Sequence, residues 1–152
     1  MHTFELHRGT QPLLVSLPHN GSEIPGDILA LLKPFARSAP DTDWSVDRLY
    51  GFAEDLGASI LKPRYSRYVI DLNRPPDDVS LYPGQNSTGL CPLTAFTGEP
   101  IYQDGKQPDQ NAIVHRRAQY WQPYHSALHA ELLRLKQQHG RVLLWEGNYI
   151  QP

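Results

Sequence analysis

With one cysteine, Cys91, in 152 residues, the chain can form neither an internal disulfide nor a zinc site built on thiolates. Cys91 sits in a Gly/Pro-rich stretch and reads as a bystander rather than a nucleophile. Basic residues are few and scattered. Fourteen Lys and Arg against 16 Asp and Glu give a formal charge of -2 and a pI near 6.4, so there is no electrostatic footprint for phosphate backbones or anionic lipid. No apolar run is long enough to span a bilayer, and the opening MHTFELHRGTQPLLVSLPHN lacks a basic head followed by an apolar core. The expectation is a soluble, cytoplasmic protein with neither nucleic acid nor membrane as partner.

What is present suits one core. At 39% hydrophobic and 20% charged residues, the chain is expected to form a single domain over residues 1–152. Residues 12–17 (PLLVSL) and 141–145 (RVLLW) read as buried strands, and 59–62 (SILK) and 68–72 (YVIDL) as two further strands. Residues 45–56 carry Val46, Leu49, Tyr50, Ala53 and Leu56 at helical spacing, with Asp43 or Ser45 as cap and Gly57 as stop. Residues 109–138 repeat that pattern over a longer span, and Pro123 is expected to kink or split the helix. Between them, residues 77–108 form a long Pro/Gly-rich loop anchored by Leu81, Tyr82, Phe96, Ile101 and Tyr102, of the kind that is usually functional or a lid. Strands alternating with helices predict an α/β fold, a sheet flanked by helices, with ligands at the carboxyl ends of strands.

Polar residues collect at those ends. Pro18-His19-Asn20-Gly21-Ser22-Glu23 offers an imidazole and a carboxylate on a loop that Gly21 can fold sharply, a donor set that suits Zn²⁺ as well as a surface pair. Asp41, Asp43 and Asp47 precede or open a helix, where capping and the helix dipole account for some but not all of them. Arg64, Arg67 and Arg74 bracket YVIDL, and Asn73 with Arg74 sets an amide beside a guanidinium fork that matches a carboxylate. On the long helix, His125 and His129 share a face at i,i+4, but Ser126, Ala127 and Leu128 between them supply no general base. That face, and Arg134 farther along, read as solvated.

Taken in order, LPHNGSEIP, DTDWSVDRLY, SRYVIDLNRPPDDVSLYPGQ, TGLCPLTAFTGEPIY and RRAQYWQPYHSALHAELLRLKQQHGRVLLW resemble successive blocks of the N-formylglutamate amidohydrolase family, from about residue 12 to Trp145. The resemblance implies a mixed sheet flanked by helices, similar to zinc carboxypeptidases and aspartoacylase, with one zinc at the strand ends. It implies that His19 is a zinc ligand, with Glu23 or Asp43 the next. Asp71-Leu72-Asn73-Arg74 is similar to the Asp-Leu-Asn-Arg motif, so Asn73 and Arg74, with Arg67 nearby, would hold a carboxylate of the substrate. The activity implied is zinc-dependent hydrolysis of N-formyl-L-glutamate to formate and glutamate, a step of histidine degradation.

One departure bears on this. Where the family typically reads Leu-Trp-Asp-Ala-His-Ser, this chain reads Leu144-Trp145-Glu146-Gly147-Asn148-Tyr149, so Asn148 stands where a further zinc-binding histidine is expected. The resemblance also fades over the last residues, and the glutamate expected as general base would lie beyond Pro152. The expectation is a truncated chain with weak zinc binding, an unpaired sheet edge prone to self-association and, as the alternative to catalysis, simple binding of an acidic small molecule.

Overall fold

The computed structural model describes residues 2–79 and 89–148; Leu81 and Tyr82, two of the expected loop anchors, lie outside them. Four short strands build one mixed sheet in the order β1-β3-β2-β4: β1 (Phe4–His7), β2 (Leu13–Ser16), β3 (Ser59–Pro63) and β4 (Leu143–Glu146). β3 and β4 both run parallel to β2, with Ser16 opposite Leu61 and Glu146, whereas β1 runs antiparallel to β3. The carboxyl ends of β2, β3 and β4 therefore open toward the same side of the sheet.

Alternation along β2 assigns its neighbours to opposite faces. Leu14 packs with Leu61, Tyr124 and Leu135, the latter two on helix α5 (Gln122–His139). Val15 packs instead with Val46 of α2 (Val46–Leu49) and Ala53 of α3 (Gly51–Asp55). A third cluster, Leu32, Ala36, Tyr68, Ala95, Ile101 and Tyr102, gathers the segment after the short helix α1 (Gly26–Leu29) against the long loop. The loop is thus a packed part of the fold in its described residues, with Leu90, Ala95, Ile101 and Tyr102 buried.

Several elements differ from the sequence reading. YVIDL, expected as a strand, is a turn, and it is buried, with Tyr68, Val69, Ile70 and Asp71 each at most 2% exposed. Its backbone groups find partners outside any sheet: Ser66 Oγ accepts from Tyr68 N, Arg116 Nη1 donates to Val69 O, and Asp71 N donates to Leu90 O. A short apolar run cannot tell these solutions apart. β1 was not expected, although Phe4 and Leu6 alternate with Glu5 and His7 in the period of a half-buried strand.

The helix expected over 45–56 breaks at Tyr50 into α2 and α3, and Ser45, the N-cap of α2, makes no capping bond through its side chain. Ser45 adopts a left-handed conformation at φ 65°, and Leu49 and Leu56 from the supposed core stripe are exposed. The long helix is not split. α4 (Gln110–Arg116), a π turn over Arg117–Trp121 and α5 run on without interruption. In an α-helix the Pro123 ring would clash with the carbonyl of residue 119, and the π turn just before it re-spaces that carbonyl.

Arg134 is not the solvated residue expected. It donates through Nε to Glu131 Oε2 at 3.0 Å and through Nη2 to Gly9 O at 2.9 Å. Glu131, buried on the sheet side of α5, also accepts from Ser59 Oγ at 2.6 Å, so this network ties helix, sheet and the β1–β2 connection together.

β4 forms the other edge of the sheet. Among the described residues no strand pairs with its outer side, and Leu143 and Trp145 are 59% and 53% exposed beside Phe52 and Leu56.

Candidate functional site

The chain leaves β2 through the buried Leu17, and Pro18 ends the ladder, which delivers His19 at the carboxyl end of the sheet. The following turn runs hard against the segment after β3. Gly21 is required there by proximity rather than by a special φ, because a Cβ on it would collide with the backbone of Tyr65. Glu23 N donates to Arg64 O and Ser66 N to Glu23 O, which locks the two segments side by side.

His19 is 6% exposed and sits between two carboxylates. Its Nε2 is 2.7 Å from Asp71 Oδ1, and its Nδ1 is 3.9 Å from Asp43 Oδ2. Asp71 is buried at the start of the 71–74 segment and is held from several sides: Arg67 Nη2 donates to Oδ2 at 3.2 Å, Asn73 N donates to Oδ1 at 2.9 Å, and Arg74 Nε lies 4.0 Å from Oδ2. Burial alone would raise the Asp71 pKa. The hydrogen bond and charge of His19, the charge of Arg67 and the Asn73 N–H outweigh it and hold the carboxyl below its ordinary value. An ionised Asp71 accepts from Nε2–H, and for a neutral ring this leaves the Nδ1 lone pair facing Asp43.

That gap is too long for a hydrogen bond. A tetrahedral zinc ion with bonds of about 2.0–2.2 Å spaces its ligands roughly 3.4 Å apart, so the pair would have to close by about half an ångström to share one. The carboxylate–imidazole pair behind it is the usual support of a metal-binding histidine. By donor type, His19 and Asp43 could serve as two ligands of a zinc-type ion. Glu23 is placed elsewhere, half-exposed and paired with Arg64 at 2.8 Å. Among the described residues no three His, Cys, Asp or Glu side chains converge as a metal cage. Asn148 is exposed two residues beyond β4, at the same end of the sheet as His19, so position 148 is where a further ligand could enter from the neighbouring strand.

The expected carboxylate-binding residues come together around Asp71, though not at the end of a strand. Arg67 is 7% exposed, its guanidinium 4.5 Å from the centre of the Phe96 ring, so one face is shielded from water. Asn73 is exposed and Arg74 half-buried. Of the aspartates before α2, Asp41 accepts from Tyr68 Oη at 2.8 Å and Phe96 N at 2.9 Å, which fixes the loop carrying Phe96. Asp47 accepts from Asn20 Nδ2 at 3.4 Å.

Two residues of the long helix reach this region. His125, expected on a solvated face, donates from Nε2 to Leu72 O at 2.8 Å and stacks on Trp121 at 3.8 Å between ring centres. Burial lowers its pKa, against the Leu72 carbonyl and Glu146. Trp121 Nε1 donates to Arg74 O at 3.0 Å. A tryptophan four residues before the histidine was the available signal, since i,i+4 side chains meet on a helix. His129, by contrast, is exposed as expected.

Residues 11–148 match the N-formylglutamate amidohydrolase family. The chain is 48% identical over 145 residues to the N-formylglutamate deformylase of Pseudomonas putida, and 47% identical over 144 residues to that of Pseudomonas aeruginosa. Each match covers 95% of this chain and 54% of the relative, so the chain spans about half the length of the curated relatives it matches. The fold superposes on the crystal structure of N-formylglutamate amidohydrolase from Ralstonia eutropha JMP134 with a TM-score of 0.79 at 27% identity, covering 96% of this chain and 56% of that one. A gene product of Agrobacterium tumefaciens shares the fold at a TM-score of 0.67 and 22% identity, over 95% of this chain and 55% of that one. With a mixed sheet that delivers His19 and with the Asp71–Arg74 segment in place, the chain belongs to the N-formylglutamate amidohydrolase family.

Proposed function

We propose that this chain carries the zinc-facing and carboxylate-holding part of a site that hydrolyses N-formyl-L-glutamate to formate and glutamate, a reaction of histidine degradation. The observation that carries the reading is His19 set between Asp71 and Asp43, beside the Arg67-Asn73-Arg74 group. A likeness to zinc carboxypeptidases and aspartoacylase, a cytoplasmic location and a small dicarboxylate partner, in preference to nucleic acid or membrane, belong to the same proposal. No helix of the described residues is long and apolar enough to cross a membrane.

His19 and Asp43 would hold zinc, which when bound polarises a carbonyl oxygen and lowers the pKa of water. Asp71 fixes the tautomer and orientation of His19. Asn73 and Arg74 meet a carboxylate of the substrate, the amide donating singly and the guanidinium in a fork. Arg67, tied to Asp71 and covered by Phe96, supplies positive charge behind them in a weakly hydrated setting. We assign the general base to none of these residues.

A second reading, binding without turnover, is favoured by Asn148 in the place of the family's histidine. We propose also that the β4 edge lets the isolated chain self-associate through Leu143 and Trp145. Formate release from N-formyl-L-glutamate, measured alongside calorimetric binding with zinc present, separates the two readings. Turnover supports the hydrolase reading, binding without formate supports the second, and absence of both removes them together.

A further inference from the structure

Three consecutive peptide units after Asp71 are held from outside their own segment or by Asp71 itself. Leu72 O accepts from His125 Nε2, Asn73 N donates to Asp71 Oδ1, and Arg74 O accepts from Trp121 Nε1. Arg74 N also donates to Asp71 O at 3.2 Å. The two helix donors stack on each other at 3.8 Å with ring planes 24° apart, so each fixes the other's orientation. They are delivered by the π turn over Arg117–Trp121 and the first turn of α5. Such turns often mark functional positions in helices.

We infer that Trp121 and His125 are positioning residues: they clamp the Leu72 and Arg74 carbonyls from the long helix and so set where the Asn73 amide and the Arg74 guanidinium meet a substrate carboxylate. The inference rests on the reading of Asn73 and Arg74 as the carboxylate-holding pair. A carboxylate fork demands alignment of donors to within a fraction of an ångström, and the backbone that bears the pair is otherwise an irregular segment with no sheet partner. Neither ring needs to touch the substrate.

The test is calorimetry with N-formyl-L-glutamate in the presence of zinc, on the intact chain and on His125→Gln, His125→Leu, Trp121→Phe and His129→Gln, with amide hydrogen exchange at residues 73 and 74 as a second readout. His125→Leu and Trp121→Phe each remove one donor and should weaken binding roughly tenfold, with faster exchange at both amides. His125→Gln keeps an N–H that can reach Leu72 O and should retain affinity to within about threefold. His129→Gln, on the exposed position, should change neither readout. If the intact chain binds and all variants bind equally, the clamp is overturned while the carboxylate reading stands. A lower thermal midpoint in His125→Leu with unchanged affinity would likewise reduce the pair to scaffold and overturn it. If the intact chain does not bind, the carboxylate reading falls, and exchange decides the clamp alone: unchanged rates in His125→Leu and Trp121→Phe overturn it.

Discussion

Replacing Asp71 by Asn tests how much of the site's organisation rests on one buried charge. The amide keeps the shape of the carboxylate and one acceptor oxygen, so the Asn73 N–H and the His19 hydrogen bond can both persist in form. What disappears is the negative charge opposite Arg67, whose side chain is 8% exposed against 1% for Asp71. Removing one partner of a buried pair leaves the other uncompensated, at a cost of about 3–5 kcal/mol. With the amide oxygen at the Oδ1 position that His19 and Asn73 meet, the new NH2 group faces the Arg67 Nη2 donor, so the lower figure is a minimum. In a chain of this size about 3 kcal/mol corresponds to a fall in thermal midpoint of roughly 6–12 °C. Urea unfolding at pH 7 measures it directly, with Asp77→Asn as the control, since Asp77 is exposed and, among the described residues, accepts from the nearby Val79 N. A loss below about 0.5 kcal/mol for Asp71→Asn, the ordinary scatter of surface substitutions, would refute the view that Asp71 is the hub.

Three further outcomes follow from particular contacts. Gly21→Ala should destabilise by about 1–3 kcal/mol, because the new methyl meets the Tyr65 backbone, which cannot yield as a side chain would; Gly26→Ala, facing open space, should not, and equal unfolding midpoints would contradict this. The Arg134 hydrogen bond, assisted by Ser59 and opposed by burial, lowers the Glu131 pKa. A lowered carboxyl pKa adds stability that is full above the unfolded value near 4.5 and is lost as the pH falls through the folded one. Unfolding curves between pH 7 and 3 should therefore show Glu131→Gln removing part of the acid-side loss, and parallel curves would contradict the assignment. Asn148→His should tighten zinc binding by about tenfold or more, because neutral imidazole is a far better zinc ligand than an amide oxygen; chelator competition reads it, and unchanged affinity would mean that position 148 does not face the ion.

Much of the site was legible because its residues lie in short, distinctive runs. Pro18-His19 at the end of an apolar run, and Asp71-Leu72-Asn73-Arg74 after another, are local signals, and the parallel neighbours β2, β3 and β4 were each visible as apolar segments. What failed was long-range. YVIDL has the composition of a strand, yet whether it joins a sheet depends on Leu90 and Arg116 meeting its backbone, which no local pattern encodes. Arg134 and His125 read as solvated because helical periodicity assigns faces without saying what lies opposite them. Their partners, Gly9 and Leu72, are 125 and 53 residues away. Similarly, Glu23 and Asp43 read as equal candidates beside His19, because the Arg64 that pairs with Glu23 is 41 residues away in sequence.

The most direct test of the proposed function is a calorimetric comparison of N-formyl-L-glutamate with N-formyl-L-glutamine on the intact chain with zinc present. The two ligands differ only in one carboxylate, the group that would meet Arg67, Asn73 and Arg74 or the zinc side of the site. The account predicts measurable binding of the glutamate and at least roughly tenfold weaker binding of the glutamine, the loss of about one charge-assisted hydrogen bond. Equal affinity for both, or binding of neither, would contradict it.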